Sequence, residues 1–105
     1  MATFIVDRVV PGLTAELLLE AQRLLRQAAG RVSRGADPVR YVRCTFVPHE
    51  QRCICIFDAP SAEVVRRVNE IAQVPFRQIQ PATEFSAPGT TTGARDGAPA
   101  QRRES

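Results

Sequence analysis

The sequence predicts an α+β fold in which strands and helices follow one another in the order β-α-β-β-α-β. Runs rich in β-branched and aromatic residues predict four strands, at 3–10, 39–47, 52–58 and 76–85. Apolar residues at helical spacing predict one helix between the first two runs and another between the last two. The chain has 105 residues, which is the length of one domain.

The first predicted helix follows the first strand after a Pro-Gly pair that breaks the strand. Thr14 is a suitable N-cap, and Glu16 lies in the first turn, where the helix dipole favours an anion. Leucine and alanine recur on one side of this segment, and charged residues occupy the other. We expect the helix to end at Gly30.

The central segment 39–58, VRYVRCTFVPHEQRCICIFD, predicts a β-hairpin. Two alternating runs flank the polar turn 48–51, and the segment contains all three cysteines and the only histidine of the chain. Any unusual chemistry of this protein is therefore expected on or beside the hairpin.

The second predicted helix covers Ala62–Ala72, with Ser61 as its N-cap. The last strand contains Pro81, which cannot donate a ladder hydrogen bond and so suits an edge position. The complete order is that of the split βαβ, or ferredoxin-like, sandwich. We expect a four-stranded antiparallel sheet with two helices on one face and the other face open, as in the dimeric α+β barrel type.

The turn length predicts a register for the hairpin. If Val47 lies opposite Arg52, then Cys44 lies opposite Cys55 and Val42 lies opposite Phe57. The cysteines then point to the apolar side under the helices. The open face receives a mixed polar and aliphatic set, which suits a dimer interface or a ligand floor: Tyr41, Arg43, Thr45, Val47, Arg52, Ile54, Ile56 and Asp58.

Three interpretations of the cysteines remain open. Free cysteines are among the most buried residues, so all three can simply be core residues with reduced thiols. Cys44 and Cys55, directly opposed, lie within disulfide range. Alternatively, Cys44, Cys53 and Cys55 bind nickel or zinc as thiolates, with His49 at the hairpin tip as a further candidate ligand.

A second candidate site consists of Asp7, Tyr41 and Arg43 on the open face. Asp7 on the first strand is expected to approach Tyr41 or Arg43 across the sheet. This group forms either a salt bridge at the rim, worth at most about 1 kcal/mol, or a polar floor for a small ligand.

Composition disfavours several other classes of protein. The net charge is +3 with acidic residues interspersed, so we expect no nucleic-acid binding. We expect no membrane association, because no apolar run approaches about 18 residues. Three cysteines and no signal peptide predict a cytoplasmic protein. Phosphate-loop, zinc-protease and nucleophile-elbow motifs are missing, which disfavours hydrolytic or nucleotide-driven catalysis.

The segment 86–105 has no apolar residue larger than alanine and is predicted to be a disordered tail beyond a domain at 1–85.

Three pieces of the sequence resemble a family of short bacterial ferredoxin-like proteins of unknown function, some described as nickel-binding. They are FIVDRVVPGLTAELL, VRYVRCTFVPHEQRCICIFDAPSAEVVRRV and VPFRQIQPATEF. The resemblance implies a homodimer that packs its open sheet faces, and nickel binding through histidine and cysteine. We therefore expect a non-enzymatic metal-binding protein. The alternative is a small dimeric monooxygenase- or isomerase-like enzyme that uses the open face.

Overall fold

The structure, a computed structural model, has the predicted order of elements and describes residues 1–35 and 37–85. The predicted tail at 86–105 lies outside the described residues. The strands are β1 (Ala2–Val9), β2 (Arg40–Val47), β3 (Arg52–Ala59) and β4 (Gln78–Ala82), and the helices are α1 (Ala15–Gly35) and α2 (Ala62–Ala72).

The four strands form one antiparallel sheet in the order β2-β3-β1-β4. The two central strands pair along their whole length, with Phe4 opposite Phe57 and Val6 opposite Cys55. This topology confirms the ferredoxin-like fold. It also confirms the edge position of β4, where Pro81 lies opposite Phe4.

The core lies between the helices and one face of the sheet. Alternation along β1 and β3 places every second side chain in this layer, including Val6, Cys53, Cys55 and Phe57, all with no exposed surface. Leu25 of α1 is likewise fully buried. Within the described part of the chain, neither helix combines the length and the apolar character that crossing a bilayer requires.

Both predicted N-caps are present. The Leu17 N–H donates to Thr14 Oγ1 at 3.1 Å, and the Val64 N–H donates to Ser61 Oγ at 3.4 Å. The predicted end of α1 at Gly30 is wrong, because the helix continues to Gly35. The additional turn buries Val32, and burial of a valine outweighs the cost of about 1 kcal/mol for a glycine inside a helix.

The last strand is shorter than the predicted segment 76–85. Val74 is buried at the end of α2, and the Arg77 N–H donates to the Asp7 carbonyl at 2.7 Å just before β4 begins. The residues before Gln78 are therefore used to connect α2 to the sheet rather than to extend the ladder.

The hairpin keeps the predicted register from its turn as far as Arg43, which lies opposite Ile56, and Cys44 lies opposite Cys55 as predicted. Between Arg43 and Tyr41 the register shifts at a β-bulge, so Tyr41 rather than Val42 lies opposite Phe57. The predicted Val42–Phe57 pair is therefore wrong. Because one extra residue reverses the alternation, Tyr41 moves from the open face to the helix-covered face.

Replacement of Gly30 tests the length of α1. We expect Gly30→Ala to raise the free energy of unfolding by about 0.5–1 kcal/mol, since alanine favours a helix interior. An added Cβ has ordinary contact with Arg34 Nη1, at 3.5 Å. Urea unfolding of the purified variant measures the change.

Gly12→Ala is the matched control, because Gly12 has a φ of 84° that alanine rarely adopts. We expect this control to destabilise the protein. Destabilisation by Gly30→Ala as well would indicate that α1 ends at Gly30.

Candidate metal centre

The sulfur atoms of Cys44, Cys53 and Cys55 lie together beneath the helices. All three are within 4.8 Å of one another, and the Sγ atoms of Cys53 and Cys55 are 3.6 Å apart. Cys53 and Cys55 are fully buried on β3, whereas Cys44 on β2 is half-buried. The cluster therefore has two inner sulfurs and one sulfur nearer the solvent.

Cys44 and Cys53 are joined by a disulfide whose Cα atoms are 6.6 Å apart, and Cys55 is a free cysteine. The sequence favoured three reduced thiols and left open a bridge between Cys44 and Cys55. The structure instead connects the diagonal neighbours, because the sulfur of Cys55 is directed toward a guanidinium group of β1.

That guanidinium belongs to Arg8, which is only 2% exposed. Its Nη2 donates to Cys55 Sγ at 3.4 Å and to Asn69 Oδ1 at 2.9 Å. Its Nη1 donates to the carbonyl oxygens of Val74 and Pro75 at 3.4 and 2.9 Å. Arg8 thus connects the sulfur cluster on the sheet to α2 and to the segment that follows it.

Sequence reasoning missed Arg8 and Asn69, although a signal for Arg8 was present. Phe4 and Val6 point into the core, so period-two alternation places Arg8 on the same face. Asn69 follows Val65 by one helical turn within the buried stripe of α2, and its Nδ2 donates to the Val65 carbonyl at 2.8 Å. Polar residues at core positions are informative because burial requires partners for them.

Tyr41 packs on the core side next to the cluster. Its ring makes an edge-to-face contact with Phe57, with ring centroids 5.3 Å apart, and its hydroxyl accepts a hydrogen bond from Gln22 Nε2 at 2.8 Å. A cavity of about 300 Å³ lies beside it, lined by Gln22, Arg26, Tyr41, Val42, Arg43 and Cys44. Cys44 is therefore the cysteine that a small solute can approach from this cavity.

The phenol of Tyr41 stays protonated at physiological pH. Burial raises the pKa of Tyr41 to about 12, and negative charge on Cys55 adds to this rise, while the hydrogen bond from Gln22 opposes it. A neutral hydroxyl that already accepts from Gln22 keeps its own proton available for a nearby acceptor.

Asp7, Tyr41 and Arg43 are not brought together as the sequence predicted. Asp7 Oδ1 accepts from Arg52 Nε at 3.1 Å on the open face, and Arg43 pairs with Glu84. Because of the β-bulge, Tyr41 lies on the face of the sheet opposite Asp7, and only Tyr41 and Arg43 of the three line a common cavity. The predicted approach of Asp7 to Tyr41 or Arg43 is therefore wrong.

His49 lies in a short 3₁₀ turn, Pro48–Glu50, at the tip of the hairpin, where it is exposed. Among the described residues, the group of metal-ligating atoms that come close together contains only the three cysteine sulfurs. The structure therefore assembles three of the four predicted ligands and leaves His49 outside the cluster.

Fold and site together define a small ferredoxin-like α+β protein with a cluster of three cysteines. A family model described as "Nickel responsive protein SCO4226-like" matches residues 4–81. The chain therefore belongs to the SCO4226-like family of nickel responsive proteins.

The chain is also similar to a solved structure, that of SCO4226 from Streptomyces coelicolor A3(2). The two are 26% identical with a TM-score of 0.65, and the similarity covers 81% of this chain and all of the other. None of the curated proteins matches the chain in sequence.

Peptide mapping without reductant tests the disulfide. Trypsin releases Cys44 within peptide 44–52 and places Cys53 and Cys55 together in peptide 53–66. We expect Cys55→Ser to retain the cross-link between these peptides, because the sulfurs of Cys44 and Cys53 remain in contact. We expect Cys53→Ser to weaken it. Retention in Cys53→Ser with loss in Cys55→Ser would assign the bond to Cys44–Cys55.

Proposed function

We propose that the reduced protein binds one transition metal ion, nickel in the first instance, through the thiolates of Cys44, Cys53 and Cys55. The observation that carries this proposal is the proximity of three sulfurs contributed by two adjacent strands. The description of the family as nickel responsive supports the choice of nickel. Thiolates are also good ligands for zinc, which is the competing ion.

The spacing of the sulfurs fits such an ion. Metal–sulfur bonds of about 2.3 Å in a tetrahedral site hold sulfurs about 3.8 Å apart. The 3.6 Å between Cys53 and Cys55 is already close to this value, and the third sulfur lies within 4.8 Å of both. Small side-chain rotations are therefore sufficient once the disulfide is reduced.

The three cysteines would hold the ion, and the hairpin would fix their positions. Reduction of the Cys44–Cys53 disulfide takes up two electrons and two protons and yields two thiols. Coordination then requires deprotonation of the thiols, so binding releases protons. The cavity beside Cys44 leaves a place for a water molecule or a small external ligand at the fourth position.

Metal content provides the test. After treatment with a phosphine reductant, incubation with Ni²⁺ and desalting, we expect one nickel ion per wild-type chain. Cys44→Ser, Cys53→Ser and Cys55→Ser should each lower this content, because each removes a thiolate ligand. Protein in the disulfide form should retain little nickel.

His49→Ala is the matched control, since His49 lies outside the sulfur cluster. Loss of nickel from this variant with full retention by the cysteine variants would contradict a thiolate site. Parallel incubation with Zn²⁺ shows which ion the site prefers.

The enzyme alternative receives no support from the geometry. Asp7 and Arg43 make separate ion pairs, and Asp7 lies on the face of the sheet opposite Tyr41. The constellation that would have bound an organic substrate is therefore not assembled.

We also propose that the protein is a homodimer that packs its open sheet faces. Ile5, Ile54 and Ile56 support this proposal, because they lie side by side on β1 and β3 on the face that the helices leave uncovered. All three are partly exposed in the single chain. A second copy with the same aliphatic patch would cover them.

Sedimentation tests the dimer. We expect Ile56→Asp to sediment as a monomer, because a carboxylate at the centre of the interface is costly to desolvate. Ile71→Asp is the matched control, since Ile71 is 40% exposed on α2, away from the sheet. A dimer that survives Ile56→Asp would overturn this interface.

A further inference from the structure

Arg8 is a buried cation whose contacts include no carboxylate. Among residues 1–35 and 37–85, the six ion pairs leave Arg8 out, and its hydrogen-bond acceptors are two carbonyls, one side-chain amide and one cysteine sulfur. Its Nε is buried and has no hydrogen-bond partner in the same part of the chain. A charge removed from water in this way is strongly unfavourable unless an opposite charge lies nearby.

The sulfur cluster is the nearest place for that opposite charge. Arg8 lies directly opposite Cys53 in the β1–β3 ladder, and its Nη2 contacts Cys55 Sγ. Each ligand that a metal requires from this cluster is a thiolate and carries one negative charge. Three thiolates around a divalent ion leave one net negative charge, and one guanidinium neutralises it.

We infer that Arg8, positioned by Asn69, is the charge-compensating residue of a divalent-metal site formed by Cys44, Cys53 and Cys55. This inference rests on the metal-binding function proposed above and adds a residue and a charge preference to it. Arg8 does not contact the ion. It is a positioning residue that holds Cys55 Sγ and stabilises the anionic metal–thiolate unit.

The surroundings of Arg8 strengthen this electrostatic effect. The side chain is 2% exposed, and the two inner sulfurs have no exposed surface, so little water screens the attraction. Asn69 Oδ1 and the two carbonyls accept hydrogen bonds from Arg8 without neutralising it. The full cationic charge therefore remains available to the sulfurs.

Two substitutions remove this charge in different ways. Arg8→Met keeps much of the side-chain volume and deletes the cation. Asn69→Asp keeps Arg8 and replaces the amide oxygen that lies 2.9 Å from Arg8 Nη2 with a carboxylate oxygen. The guanidinium is then paired with an anion before a metal binds. Arg8→Lys retains the charge but loses the forked geometry. Arg67→Met is the matched control, because it deletes an exposed arginine of α2 that pairs with Asp37.

Titration of the reduced proteins with Ni²⁺ measures the effect, with the sulfur-to-nickel charge-transfer absorption as the signal. We expect Arg8→Met and Asn69→Asp each to weaken nickel binding by about 10- to 100-fold, as is usual for residues that support metal ligands. The charge-transfer band should also shift in both, because the field at Cys55 Sγ changes. Arg8→Lys should restore part of the affinity, and Arg67→Met should bind as the wild type does.

The outcomes separate the two proposals. Stoichiometric nickel in the wild type with unchanged affinity in both Arg8→Met and Asn69→Asp would overturn the role of Arg8 and leave the thiolate site intact. Failure of the reduced wild type to bind Ni²⁺ would overturn both. If circular dichroism shows that Arg8→Met is unfolded, the result for Asn69→Asp decides, because that variant keeps the hydrogen bonds from Arg8 to the carbonyls of Val74 and Pro75.

Discussion

The packing of the site depends on the hydrogen bonds that the buried guanidinium of Arg8 makes. It joins β1, one of the two central strands, to Cys55 on β3, to Asn69 on α2 and to the carbonyls of Val74 and Pro75. These contacts fix the end of α2 over the cysteines. They also place a cation in a largely apolar core, where the contacts of Arg8 include no carboxylate. In the proposed metal site, the thiolates of Cys44, Cys53 and Cys55 would supply the opposite charge.

The hairpin of β2 and β3 positions the three cysteines of the site. Its two strands bring Cys44 opposite Cys55 and diagonal to Cys53, and the β-bulge turns Tyr41 inward beside them. In the proposed metal site, the disulfide and the metal compete for the same sulfurs. In the oxidised form Cys44 and Cys53 are bonded to each other, whereas reduction makes all three sulfurs available as ligands. Metal binding by this protein is therefore expected to follow the redox state of the thiols, with Cys44 at the solvent side of the cluster.

Much of the fold follows from local sequence patterns. The order of elements, both N-caps and the hairpin pairing near the turn were predicted from alternation, helical spacing and turn residues. The length of α1 was not, because the burial of Val32 outweighs the local preference of Gly30 to end a helix. The position of Tyr41 was not either, since a bulge is a tertiary feature that reverses side-chain alternation without a clear sequence signal. The cysteines were identified as a cluster, but the roles of Arg8 and Asn69 depend on contacts 47 to 67 residues apart.

X-ray absorption at the nickel edge of the reduced, nickel-loaded protein tests the thiolate site most directly. Three sulfur atoms at about 2.2–2.3 Å from the metal are expected in the first coordination shell, together with at most one lighter atom. A first shell made only of nitrogen and oxygen atoms would contradict a site built from Cys44, Cys53 and Cys55. Such a result would assign the metal to the protein surface, where His49 is exposed.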